Sequence, residues 1–331
     1  MERKKINEII KPSAKPSTSR AIFQIVNTVI PYFGILVIMY FMLINNVNYL
    51  FVLSIGVLGA LFLVRIFIFF HDCTHSSFVK SKLAMNIFGH IFGVLVFTSY
   101  NKWKNEHITH HQSVGNIDKR GTGDVWTMTV DEYQGSSFLK KLGYRLFRNP
   151  FTLFVIGPAY IFLIQERLPI NTKTKKEWFS LIVTNLSILT IILTVTFTIG
   201  FKYYLLIQLP IIVIAGSLGI WLFFVQHQYD DVYWEESNNW NITDAALKGS
   251  SVYKLPAVLN WFTGSIGYHN IHHLNPRVPN YNLRKLFKRN IVFQDSKQFK
   301  IFQSLHLAKL FLYDKANKKL ISHRKYKKLY R

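Results

Sequence analysis

Four stretches of the chain stay apolar for about the width of a membrane, and polar residues gather in long blocks between them. The runs cover residues 21–44, 49–70, 178–200 and 203–225, each near the roughly 20 residues that a helix needs to cross a bilayer. With half of its 331 residues hydrophobic and 16% aromatic, the chain is rich enough either for one large core or for several spans. The unbroken runs decide for spans. Inside them the clearly charged residue is Arg65, less than two turns before His71, and its long stem is expected to snorkel the guanidinium toward the interface rather than to meet an acidic partner. Two weaker apolar stretches, 83–98 and 151–163, are shorter, contain glycine and flank the central polar block. They are expected to form interfacial or re-entrant helices. Crossing the membrane instead would carry His107–His111 away from His71.

The first run has full membrane length and is read as a retained anchor rather than a cleaved signal. The connections at 45–48 and around Phe201, Lys202 and Tyr203 hold one Lys or Arg between them, so the positive-inside rule puts them outside and the basic blocks inside. The expected organisation is a basic cytoplasmic arm (1–20), one membrane domain (21–290, with cytoplasmic segments 71–177 and 226–290) and a basic cytoplasmic tail (291–331), with both termini facing the cytoplasm. Lys315, Lys318, Lys319, Arg324, Lys325, Lys327 and Lys328 give the tail its charge, and lipid contact accounts for it. The net charge of +23 therefore follows from topology and anionic headgroups, and no nucleic-acid module accompanies it. A single cysteine, Cys73, excludes an intrachain disulfide and a CxxC site, and is expected as a small buried side chain.

Histidine carries the chemistry. Of twelve histidines, nine fall into His71/His75, His107/His110/His111, His227 and His269/His272/His273. Positions i, i+3 and i+4 share one helix face, so each cluster aims its imidazoles at one point. Neutral imidazole is a common ligand of first-row metals. His90, His306 and His323 stand apart and are read as ordinary hydrogen-bonded histidines. Because His71 follows the second run and His227 the fourth, all nine can meet at one level just outside the hydrocarbon. Nine imidazoles exceed what one ion takes, so two ions with four or five histidines each fit better; iron, zinc and copper all remain open on ligand type. The expected fold is an all-α integral membrane protein, four transmembrane helices with a cytoplasmic helical cap holding a histidine-rich dimetal site.

The segments His71-Asp72-Cys73-Thr74-His75, His107-Ile108-Thr109-His110-His111 and His269-Asn270-Ile271-His272-His273 resemble the three histidine boxes of membrane fatty acid desaturases. The flanking GNIDKRGTGDVW (115–126), VQHQYDD (225–231) and HLNPRVPNY (273–281) resemble the bacterial acyl-lipid branch, and most closely the delta-5 phospholipid desaturases of Gram-positive bacteria. That resemblance covers about residues 20–290. It implies a di-iron centre (Fe2+/Fe3+), O2 as cosubstrate, two electrons per double bond from ferredoxin or flavodoxin, and a cis alkene in an acyl-lipid of the membrane. It implies as metal ligands His71, His75, His107, His110, His111, His269, His272 and His273, with His227 as the ninth. Phe223 stands where some animal relatives carry a water-bridging asparagine. No HPGG signature of a fused cytochrome b5 is present, so electrons are expected from a separate protein.

Beside the clusters, Asp72, Asp118, Asp124 and Asp231 are candidates to orient imidazole N–H groups, while Gln226, Gln228 and Asn270 carry no expectation of that role. Trp103, Trp126, Trp261 and Phe262 can wall an acyl tunnel or anchor at the interface. The glycines of 115–123 lack phosphate-loop spacing and are turn residues. A lipid hydroxylase or epoxygenase would need the same metal centre; a metal transporter would hold its histidines at mid-membrane; a lipid-responsive sensor would bind metal without consuming oxygen.

Overall fold

The computed structural model describes residues 3–121 and 123–330. Thr122 of the glycine-containing stretch, Met1 and Glu2 of the arm, and Arg331 of the tail lie outside the described residues. Each expected run is a helix long and apolar enough to span: Thr18–Ile44, Tyr49–Thr74, Lys175–Thr198 and Phe201–His227. At ~1.5 Å per residue, such helices extend roughly 36–40 Å, more than the ~30 Å of hydrocarbon. The excess lies at the ends. His71 occupies the last turn of the second helix and His227 the final residue of the fourth, where apolar pattern had placed them just beyond. Hydropathy reports where lipid stops, whereas backbone hydrogen bonding continues until a cap intervenes. The caps themselves are local: the Asn48 side chain accepts from the Leu50 N–H, and Thr174 with Glu177 forms a reciprocal capping box.

The second spanning helix packs between the first and the fourth. Close approach is possible because Gly59 has no Cβ: one built there would lie 3.0 Å from Ile211 Cδ1 and 3.2 Å from Ile35 Cγ2. Outward, Phe23, Ile30, Phe51, Leu186 and Phe197 are exposed, the arrangement a lipid solvent requires.

The weaker stretches form bent pairs. Lys82–Leu95 and Tyr100–Ser113 meet at 98°, and Phe138–Phe147 and Thr152–Arg167 at 65°. The first bend turns at Phe97, whose φ of 56° is left-handed. A 14-residue arm such as Lys82–Leu95 is only ~21 Å long. The polar arm Tyr100–Ser113 folds against the ends of the second and third spanning helices: the Tyr100 hydroxyl donates to the Cys73 carbonyl at 2.9 Å, and the Asn101 N–H to Ser180 Oγ at 3.0 Å. Buried Lys102 faces Glu166 at 3.5 Å, and Cys73 is buried.

Arg65 does not snorkel to water. It is 3% exposed, its Nε donates to Thr28 Oγ1 at 3.0 Å, a second nitrogen meets the Trp261 carbonyl, and the guanidinium lies 3.9 Å from the centre of the Trp261 ring. Neighbouring helices supply a hydroxyl, a carbonyl and an aromatic face, which together replace hydration.

The two ends of the chain are folded parts of the cap. Helix Arg3–Ile10 buries Ile6 and Ile10 against Ile271, Leu283 and Phe287. In the basic tail, strands Leu310–Asp314 and Lys319–Ser322 form an antiparallel hairpin followed by helix His323–Tyr330. Its apolar side packs with Met128, Tyr133 and Tyr144. Buried Arg148 ties the hairpin to the site by donating to Gln228 Oε1 at 3.3 Å and to the Leu310 carbonyl at 2.5 Å. Leu320 N–H donates to the Asp230 carbonyl at 2.8 Å.

Substituting Gly59→Leu overpacks the junction of three helices, at a cost of ~1–3 kcal/mol. A lowered midpoint of thermal unfolding in detergent is expected, read by tryptophan fluorescence; an unchanged midpoint would show that the helices do not pack this way.

Candidate metal centre

Nine histidines from four segments meet at one end of the helical bundle. His71 and His75 come from the end of the second spanning helix, His107, His110 and His111 from the polar arm Tyr100–Ser113, His227 from the end of the fourth, and His269, His272 and His273 from helix His269–Leu274. The i, i+3, i+4 spacing puts each set on one helical face, and packing of the arm against the second helix brings the faces together.

Two groups result. Ring nitrogens of His71, His75, His107, His111 and His272 lie within 4.8 Å of one another, as do those of His110, His227 and His273. His269 joins the second group, its Nε2 lying 2.9 Å from His227 Nε2 and 3.1 Å from His273 Nε2. The groups adjoin, with the rings of His111 and His273 stacked 4.2 Å apart. His90, His306 and His323 stay outside: His90 packs on Tyr100, His306 meets Asp230 at 3.0 Å, and His323 packs on Phe311.

The cluster holds more nitrogen than protein hydrogen bonds can use. His111 Nε2 stands 3.0 Å from His272 Nε2 and 3.1 Å from His107 Nε2, while buried His75 Nε2 and His110 Nε2 have no partner. Each buried polar atom left without a partner costs about 1–3 kcal/mol. Burial, followed by the neighbouring imidazoles, holds His269, His272 and His273 well below the ordinary imidazole range. They are therefore neutral at pH 7, the state with a lone pair to give. Convergent neutral donors, no protein partner and cation-sized separations fit two metal ions, one per group.

Among the four nearby aspartates, position in space selects one. The His110 Nδ1–H donates to Asp124 Oδ1 at 2.9 Å, which fixes the tautomer and leaves Nε2 facing the cluster. Asp72 lies 3.5 Å from His71 Nδ1, but its carboxylate accepts from the Asn280 backbone and side chain at 2.8 and 2.9 Å. Asp118 accepts from the Ser237 N–H, and Asp231 pairs with Lys297. Gln226, Gln228 and Asn270 bond elsewhere, to Ile266, to Thr127 and Arg148, and to Phe293 and Ser296. Sequence reasoning missed the Gly249 carbonyl, 3.2 Å from His227 Nδ1; a backbone oxygen has no residue-type signal.

Aromatic rings close the walls. Trp103 stacks on His107 at 4.3 Å, and Phe223 packs on His110 and His227 at 5.2 and 4.9 Å. Trp126 instead packs on Tyr144 and Phe147, and Trp261 and Phe262 on Phe62.

Comparison with known proteins matches residues 46–298 to the fatty acid desaturase family model, a stretch that contains every clustered histidine. A fatty acid desaturase of Bacillus subtilis (strain 168) is 42% identical over 323 residues, covering 98% of this chain and 91% of that protein. An sn-1 acyl-lipid omega-3 desaturase (ferredoxin) of Nostoc sp. (strain 36) is 27% identical, over 66% of this chain and 62% of the relative. An sn-1 oleoyl-lipid 12-desaturase of Synechocystis sp. is 25% identical over the same shares. With four apolar helices, two groups of convergent histidines and a near full-length relative, the chain belongs to the fatty acid desaturase family.

Proposed function

We propose that this oxidoreductase introduces a cis double bond, at the delta-5 position, into acyl chains of phospholipids in the cytoplasmic membrane. The observation that carries the reading is the pair of adjoining all-imidazole groups at the ends of spanning helices. A transporter would need such groups at mid-membrane. Acyl-lipid relatives support a lipid substrate, and three of them are named with ferredoxin. The positive-inside pattern supports a cytoplasmic site and cytoplasmic termini.

The nine clustered histidines, His71, His75, His107, His110, His111, His227, His269, His272 and His273, are the proposed ligands of two iron ions. Bound there, iron would supply the oxidant made from O2, two electrons and two protons, so that two hydrogens leave adjacent methylenes and both oxygen atoms end as water. The protein's own contribution is placement and exclusion of water. Asp124 and the Gly249 carbonyl hold His110 and His227 in one tautomer. Trp103 and Phe223 keep the rings in place and the surroundings apolar. A ferredoxin or flavodoxin is the proposed electron donor, its acidic surface attracted to the basic face.

Gas-chromatographic profiling of cells that lack unsaturated lipids tests the reaction. Expression of the wild type is expected to yield a new cis alkene, mapped to carbon 5 by mass spectrometry, and His110→Ala and His272→Ala to yield less than a hundredth as much. Hydroxylated or epoxidised chains would replace the desaturase reading with an oxygenase one; an unchanged profile from iron-loaded protein given reductant would remove both. Metal identity is read separately: chelated protein is expected to regain turnover with Fe(II) and not with Zn(II) or Cu(II), and elemental analysis to give two irons per chain. Asp124→Asn keeps the shape but loses the carboxylate behind His110, and a 10–100-fold fall in iron affinity or activity is expected. Iron retention equal to wild type under competing chelator, with full activity, would exclude that role.

A further inference from the structure

A second concave region lies away from the histidines. A cleft of about 710 Å³ opens between the start of the first spanning helix, helix Ala257–Phe262 and helix Asn280–Arg289. Its outer edge is cationic, formed by Arg20, Arg284, Lys285, Lys288 and Arg289, and no carboxylate lines it. Among the described residues none of these five is in an ion pair. Arg284/Lys288 and Lys285/Arg289 are like-charge pairs at i, i+4, an arrangement that works against the helix unless an anion intervenes.

The interior of the cleft differs from its rim. Gln24, Asn260 and Asn280 are buried there beside Arg65, so polar donors continue inward. Exposed Phe23 and Trp261 stand at the mouth. Arg20 lies in the first turn of the spanning helix and, after buried Ala21, is followed by exposed Ile22 and Phe23, which sets the cleft at headgroup depth. A cationic rim, aromatic side chains at the mouth, inner amides and interfacial depth match one class of molecule, a phospholipid with a phosphodiester at the rim and glycerol esters against the inner amides.

We propose that this cleft is the headgroup site of the lipid substrate, an inference that rests on the desaturase reading above. Its floor is coupled to the metal centre. Asn280 bonds Gln24 at 2.9 Å and Asp72 at 2.9 Å, and Asp72 lies 3.5 Å from His71. Two side chains thus separate cleft from histidine cluster. An ester held there begins its acyl chain close to the cluster, which places the double bond toward the carboxyl end.

The test uses the iron-loaded full chain in nanodiscs of zwitterionic lipid carrying a trace of phosphatidylglycerol or of diacylglycerol with the same acyl chains. Retention of each lipid is read by native mass spectrometry, and desaturation of each by product analysis. Wild type is expected to retain phosphatidylglycerol over diacylglycerol, Arg284→Gln/Lys288→Gln to lose that preference at least fivefold and raise the apparent KM for phosphatidylglycerol, and Lys202→Gln, at the far end of the bundle, to behave as wild type. Circular dichroism and iron content verify the variant's fold. Unchanged retention in the folded double variant would overturn the site, as would equal loss of both lipids, or displacement of bound lipid by millimolar inorganic phosphate with no preference for the lipid form. If wild type retains phosphatidylglycerol through these residues yet makes no alkene, the cleft stands as a phospholipid site and the desaturase reading fails.

Discussion

Nine imidazoles share one volume beneath a layer of aromatic side chains, and the rest of the molecule is arranged to hold them there. Each ring brings two nitrogens, and mutual contacts such as His227–His269 at 2.9 Å use only some of them. His75 Nε2 and His110 Nε2 are buried without partner. An apolar core of similar size would fold more easily, since unpaired buried polar atoms oppose folding. Cations held there would satisfy these nitrogens, and metal binding would then be coupled to the stability of the cap.

That requirement explains features that look unrelated. Spanning helices longer than the hydrocarbon project His71 and His227 to one level. The arm Tyr100–Ser113 is polar yet packed, held by Tyr100 to Cys73 and by Asn101 to Ser180, because its histidines must face the bundle end rather than water. Arg148 fastens the carboxyl-terminal hairpin to Gln228, next to His227. Side chains braced in this way keep their geometry in a low-dielectric setting where small displacements matter.

The bilayer side follows a second constraint, that charge near hydrocarbon must find either water, protein or lipid headgroup. Arg65 found protein: Thr28, the Trp261 carbonyl and the Trp261 ring replace its hydration. Among the described residues the cations of helix Asn280–Arg289 are in no ion pair, and their side chains remain exposed. Asn280 is hydrogen-bonded to Asp72, whose carboxylate lies 3.5 Å from His71, so the helix that carries these cations stands two side chains from the histidine cluster.

By itself the sequence determined what is local or periodic. Hydropathy runs located four spans because a bilayer imposes one length on every helix that crosses it. The i, i+3, i+4 spacing of the histidines located the cluster because helix geometry alone puts such residues on one face. Tertiary structure decided everything that depends on which faces meet. Asp72, Asp118 and Asp231 all lie nearer a clustered histidine along the chain than Asp124 does, and only packing put the Asp124 carboxylate on His110. The division into groups of five and three, with His269 beside the smaller, depends on how the arm crosses the second helix. Leu310–Asp314 reads as part of a charged tail, yet its burial against Tyr133 and Tyr144 comes from residues more than a hundred positions away. Short-range periodicity carries no record of such contacts, because the free energy that fixes them comes from surfaces that exist only once the helices have assembled.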